Sequence, residues 1–226
     1  MTGFIDELRY RIYMTFVYQD RWKFLWDGLW MTIFLTMGSF LIGSVIGAIL
    51  CVMRFCKKKW VQKTSVFISK LIVQLPTLVI LMFFIYLVFA YSGIAISIIA
   101  MFAMAFKAGA YLSDIFYVAI ESVNLGEREA ARSLGLTKVQ TFRYVTLPQA
   151  VGTSLALYKN EFIVALQETS IVGYVAIVDL TQASNIITSR TLDAFFSLIV
   201  ISVLYLFIGW AVGRILDWSM SNRKSF

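Results

Sequence analysis

The strongest constraint on this chain is a set of long stretches without one charged side chain. Residues 28–53 form the first, 71–106 the second and 194–213 the third. An α-helix rises about 1.5 Å per residue, so roughly 20 apolar residues cross the hydrocarbon core of a bilayer. The second stretch is too long for one crossing, and Tyr91, Ser92 and Gly93 supply a turn inside it. It therefore predicts two helices in a tight hairpin, roughly 66–90 and 94–119. A further apolar segment, roughly 149–178, holds only Lys159, Glu161 and Glu168 as charges. The expectation is an all-α polytopic membrane protein with five spans.

Composition supports this reading. Sixty per cent of the 226 residues are hydrophobic, 15% are charged, and the mean hydropathy is +0.79. A soluble domain of this size needs more polar surface. The net charge of +7 does not argue for nucleic acid, because the basic residues sit where a membrane protein places them. Cys51 and Cys56 are five apart and the chain has no His, so no metal-ligand spacing arises. Residues 1–27 mix charge with aromatics and lack the apolar core and small-residue cleavage site of a secretory signal.

Basic loops set the orientation. Arg54, Lys57, Lys58, Lys59 and Lys63 follow the first span with no acid among them, which places that loop in the cytoplasm. Alternation puts the 120–148 connection, with Arg128, Arg132, Lys138 and Arg143, on the same side. The C-terminus, with Arg214, Arg223 and Lys224, falls there too. The expected topology is N-out, C-in, with the 91–93 turn and a 179–193 loop outside. Residues 1–27 then form an extracytoplasmic segment. Tyr10, Tyr13, Phe16, Tyr18, Trp22, Phe24 and Trp26 interleave there with Arg9, Arg11, Arg21 and Lys23, the pattern of a helix lying along the outer leaflet. A headgroup-anchored tail is the alternative. In the first span Ser39, Gly43 and Gly47 recur every four residues, a small face that lets another helix approach closely.

The 120–148 connection is too long for a turn. Residues 127–134 are strong helix formers, with Glu129 and Arg132 one turn apart and able to pair. Gly135 suits the left-handed residue that ends a helix. Thr137 can cap a second short helix over 138–146, and Pro148 suits the first turn of the next span. A helix–Gly–helix element projecting into the cytoplasm results.

Here a resemblance enters. Glu129-Ala130-Ala131, then Gly135 after three residues, then Val145-Thr146-Leu147-Pro148 after nine more resembles the E-A-A…G…I-x-L-P signature of ABC importer membrane subunits, with Val for Ile. Residues 109–116 (GAYLSDIF), 138–150 (KVQTFRYVTLPQA), 160–163 (NEFI) and 168–170 (ETS) are similar to stretches of the polar-amino-acid permeases typified by histidine and glutamine uptake. Two positions depart from that pattern. Val73-Gln74-Leu75-Pro76 stands where Arg-Gly-Thr-Pro is common, and Lys107 stands where Asn is common.

The resemblance implies a transmembrane domain over 28–226 that works in a pair, identical or related, and takes up an amino acid across the bacterial cytoplasmic membrane. It implies that Glu129, Ala130, Ala131 and Gly135 dock on separate ATPase subunits, and that an extracytoplasmic binding protein delivers the substrate. The sequence fits this division. It has no G-x-x-x-x-G-K-[ST] phosphate loop, so ATP and Mg are expected on the partner ATPase and no cofactor or metal in this chain. Peptide, sugar or metal cargo stays open, because those importers share the E-A-A element. An uncoupled channel or receptor would not need that element, and an exporter would show longer cytoplasmic helices.

Charges within spans cost free energy unless they face a cavity or a partner. Lys107 lies midway along the third span, with Tyr111 one turn on and Asp114 two turns on. Lys107, Tyr111 and Glu161 are the expected lining of the substrate path. The alternative is that Lys107 and Glu161 pair with each other or with the partner subunit. Asp114 and Glu168 are expected to be packing or polar-loop partners near span ends. A free Lys107 would disfavour basic amino acids.

Overall fold

The computed structural model describes residues 2–221, so Arg223 and Lys224 lie outside the described residues. Helices make up the fold and no strand occurs among the described residues. Three helices are long and apolar enough to cross a membrane, and two bent helix pairs raise the number to as many as five.

Helix α1 (Thr2–Ile12) is followed by a π turn and a 3-10 turn, in which Gln19 and Asp20 take positive φ. The chain then enters α2 (Trp22–Arg54), which starts ahead of the charge-free stretch. Its 33 residues span about 50 Å, well beyond the ~30 Å of hydrocarbon. The N-terminal aromatics divide. Tyr10, Tyr13, Tyr18, Trp22 and Trp26 are exposed. Phe16 and Phe24 instead pack against Leu25, Leu180, Ala183, Ile187 and Ile201. The N-terminal segment is thus seated on the body through two of its rings.

Helix α3 (Lys59–Gln74) and helix α4 (Thr77–Phe83, prolonged by a π turn to Val88) meet at an angle of 108°. The expected continuous helix over 66–90 is therefore broken. Pro76 has no amide to donate, and its ring forces Leu75 into an extended conformation (φ −80°, ψ 137°). After the Tyr91–Gly93 turn, with Gly93 at φ +65°, comes α5 (Ile96–Glu121).

Helix α6 (Leu125–Ser133) is capped by Asn124, whose side chain accepts from the Gly126 amide. Gly135 takes φ +88° and closes it. Thr137 and Gln140 form a reciprocal capping box that starts α7 (Lys138–Thr141). A π turn joins α7 to α8 (Leu147–Glu168), which has Pro148 in its first turn.

The segment expected as the end of a span and an outer loop is organised differently. Residues 169–175 form a 3-10 helix, and α9 (Leu180–Thr191) occupies most of the 179–193 segment. Asp179 is fully buried and accepts from the Thr181 and Gln182 amides, both at 3.0 Å. Leu180, Ala183 and Ile187 then face the core at helical spacing. Leu192, at φ +55°, ends α9 before α10 (Ala194–Ser221).

The central contact joins α2 to α5. A Cβ on Gly43 would lie 3.0 Å from the Ala105 carbonyl oxygen, and one on Gly47 would lie 2.9 Å from that of Gly109. A Cβ on Gly109 would lie 2.8 Å from Ile46. The small face of α2 thus meets a small position on α5, and backbones touch. Replacing Gly109 by Val is expected to destabilise the detergent-purified chain by about 1–3 kcal/mol, as overpacking does. Gly152→Val meets nothing within 4 Å and is expected to leave the thermal midpoint nearly unchanged. Thermal unfolding of both variants checks this.

Candidate functional site

A polar cluster forms where two helices break. Thr77 is the first residue of α4, just past the Pro76 bend, and Glu168 is the last residue of α8, just before the 3-10 segment. Lys107 reaches them from the middle of α5 and is 7% exposed. Its Nζ donates to Glu168 Oε1 at 2.9 Å and to Thr77 Oγ1. Thr77 Oγ1 donates to the same carboxylate oxygen at 2.9 Å. The ammonium is therefore neutralised and hydrogen-bonded within the chain, as a buried cation requires.

This sets aside one alternative and corrects one expectation drawn from the sequence. The partner of Lys107 is Glu168, not Glu161, and Glu168 is part of the cluster rather than a loop contact. Asp114 and Lys159, also predicted within spans, are paired too. Asp114 meets Arg54 at 2.6 Å, and Arg54 also donates to Ser113. Lys159 meets Asp217 at 2.7 Å.

Glu161 stands apart. It is 9% exposed and has no ion pair or hydrogen bond among the described residues. It lies seven residues before Glu168, on the same face of α8 two turns away. Glu161 is thus a second carboxylate near the Lys107–Glu168 pair, without a bond to it. Lys107 is neutralised by Glu168, so it is not the free lysine on which exclusion of basic amino acids was expected to rest. Tyr111, half-buried one turn along α5 from Lys107, makes no side-chain hydrogen bond among the described residues.

The second site is the projecting element. On α6, Glu129 and Ala130 are exposed and Ala131 is buried against the body. Glu129 and Arg132, both exposed, form no ion pair with each other. A Cβ on Gly135 would meet nothing within 4 Å, so its backbone conformation and not crowding calls for glycine. Leu134 and Val139 are 83% and 75% exposed at the tip and make it apolar. Two side chains tie α6 to the spans. Arg128 donates to the Ile120 carbonyl at the end of α5, and Gln149 of α8 donates to Glu127. Sequence reading singled out neither tether, since each links residues on different elements.

Residues 39–222 match the family described as binding-protein-dependent transport system inner membrane component. The chain belongs to that family. It is 29% identical over 193 residues to a probable glutamine ABC transporter permease of Bacillus subtilis, covering 84% of this chain and 88% of the relative. It is 30% identical over 217 residues to the histidine/lysine/arginine/ornithine transport system permease HisM of Salmonella typhimurium, covering 87% and 91%. A crystal structure of an amino acid ABC transporter with histidines superposes with a TM-score of 0.80 at 31% identity, covering 88% of this chain and 94% of that one. The protein is thus an inner-membrane permease subunit of an ABC transporter, and ATP hydrolysis belongs to a separate subunit of the system.

The Lys107 ion pair yields a stability prediction for the permease. Lys107→Met strands the partly buried Glu168 carboxylate without its cation, whereas Lys107→Met with Glu168→Met removes both charges. The single variant is expected to unfold at clearly lower temperature than the double, since breaking a buried pair costs about 3–5 kcal/mol and replacing it can be neutral. A double-mutant cycle in detergent measures the difference.

Proposed function

We propose that this permease imports an amino acid, and that the substrate's ammonium group docks on Glu161 beside the Lys107–Glu168–Thr77 cluster. The observation that carries the proposal is the one buried charge without a partner among the described residues, set two turns from a pair of helix breaks. Transporters use broken helices near mid-bilayer in this way, because unwound ends offer polar groups to a solute. A carboxylate without a bonded cation suits an incoming ammonium group. The relatives named for glutamine and for histidine, lysine, arginine and ornithine transport support amino-acid cargo. Tyr111 and Lys107 line the same path, Tyr111 with its free hydroxyl and Lys107 by holding Glu168 in place.

The working unit in this reading has two permease subunits, identical or related, two ATPases beneath them and an extracytoplasmic binding protein above. The orientation is N-out, C-in, with 1–27 outside and the α6–α7 element inside. Glu129, Ala130, Ala131 and Gly135 form the surface on which an ATPase sits. The exposed Leu134 and Val139 supply apolar contact area. Closure of the ATPases on ATP moves α6, and the Arg128 and Glu127 tethers pass that motion to α5 and α8. Those two helices carry Lys107, Glu161 and Glu168, so the coupling surface and the substrate cluster share their supports. The motion is a rigid-body change between outward- and inward-facing packings.

Three measurements test this. In proteoliposomes with the cognate ATPase and binding protein, Glu161→Gln is expected to lower uptake about 10–100-fold, the value of a charge-assisted hydrogen bond. Complex assembly and basal ATPase activity should persist, and unchanged uptake would remove Glu161 from the path. Gly135→Val should leave membrane insertion intact and uncouple ATP hydrolysis from uptake; normal coupling would exclude the docking assignment. Cys56 is exposed in the basic loop after α2 and Cys51 is buried. A membrane-impermeant maleimide should label Cys56 in inverted vesicles and not in intact cells, and the reverse pattern would invert the topology.

A further inference from the structure

Two cavities join on one side of α2, α5 and α8. The larger, about 550 Å³, opens between the end of α2 and the α6–α7 element, and Arg128, Arg132 and Lys138 lie on its wall. No carboxylate is among the described residues lining it. The smaller, about 270 Å³, shares Cys51, Val52, Ile120 and Phe142 with the first. From there it runs along the spans past Ala48, Phe116 and Val151, and its lining is apolar apart from Ser154. The result is a basic chamber that continues into an apolar trough.

Two buried groups in the chamber lack partners. Thr141 is 5% exposed, lines the chamber, and its hydroxyl has no hydrogen-bond partner. The buried Nε of Arg128 is also unsatisfied. Unpaired buried polar atoms of this kind are rare in folded proteins and point to a missing acceptor. Lys57 and Lys58, between α2 and α3, and Lys59 and Lys63, early in α3, add positive charge at the same end of α2.

We propose that this feature is a binding site for one anionic phospholipid. The phosphate lies between Arg128, Arg132 and Lys138, within reach of the Thr141 hydroxyl, and an acyl chain follows the trough between α2 and α8. Charge and shape together select this occupant. A basic pocket between spans at the cytoplasmic surface matches an anionic headgroup. The trough then leads along the helices into the hydrocarbon, a direction open to an acyl chain and closed to a soluble anion or a docked protein. The two exposed residues shared by both cavities, Val52 at 67% and Phe142 at 41%, are apolar and suit a lipid-facing wall. The site depends on α2, α5 and α8 being embedded and not on which solute is carried.

The test is native mass spectrometry of the full chain, released from detergent with its co-expressed ATPase and titrated with phosphatidylglycerol or phosphatidylcholine. One phosphatidylglycerol per permease should be retained, and phosphatidylcholine should be lost at the same activation energy. Arg132→Gln with Lys138→Gln should weaken retention about 30-fold, from roughly fivefold per cation near an anionic headgroup. Val151→Trp, which fills the trough and leaves the charge unchanged, should weaken it as well. Equal retention of both lipids, or displacement of phosphatidylglycerol by millimolar glycerol phosphate, would overturn the proposal. So would loss of the lipid on ATPase binding, which would make this face a protein-docking surface. If the double variant does not assemble, the contrast between the two lipids on the wild-type chain decides. A failed uptake assay for Glu161→Gln leaves all these outcomes readable.

Discussion

No water is available inside a bilayer to satisfy a stray charge or backbone group, and this constraint organises the permease. Wherever the chain breaks a helix within a span, polar groups must gather. The Pro76 bend leaves Thr77 at a free helix start, and the end of α8 leaves Glu168 at a free helix finish. Lys107 from the unbroken α5 closes the set. One cation, one hydroxyl and one carboxylate satisfy one another at the point where two helices are interrupted. Glu161 is left over, and a leftover carboxylate in such a place is costly unless something arrives to meet it.

The same helices reach the opposite end of the molecule. The glycines that bring α2 against α5 hold backbones in contact, so α5 cannot shift without moving α2. Arg128 and Glu127 hold α6 to the ends of α5 and α8 by hydrogen bonds to groups that those helices offer. The α6–α7 element is therefore not a floppy loop. It is a capped, closed pair of helices whose only left-handed residue is Gly135.

Much of this was legible in the chain before any coordinates. The charge-free stretches located the long spans, and Gly135, Thr137 and Pro148 marked the boundaries of the projecting element, because caps and stops are local chemistry. Longer-range features were hidden. The break at Pro76 was masked by apolar residues on both sides, which read as one helix when hydropathy alone is weighed. Helix α9 read as a loop, although Asp179 followed by Leu180, Ala183 and Ile187 has the form of a cap and an apolar stripe. Lys107 and Glu168 lie 61 residues apart, and no spacing rule connects residues on different helices. Glu161 was the better-placed candidate on sequence grounds, and its lack of a partner became visible only once Lys107, Asp114, Lys159 and Glu168 had each found one.

The buried Asp179 caps α9 and also accepts from the Tyr205 hydroxyl of α10 at 3.4 Å, while the next amide, that of Leu180, donates to Thr32 of α2 at 3.1 Å. Three helices thus meet at the start of α9, α10 through the Asp179 carboxylate and α2 through the Leu180 amide, with Gly28 of α2 pressed against the Asp179 backbone carbonyl. This joint lies near the start of α2, and the α6–α7 element packs near its far end. Such a joint is a fulcrum: while it stays closed, α2, α9 and α10 can pivot about Asp179 together but cannot slide past one another.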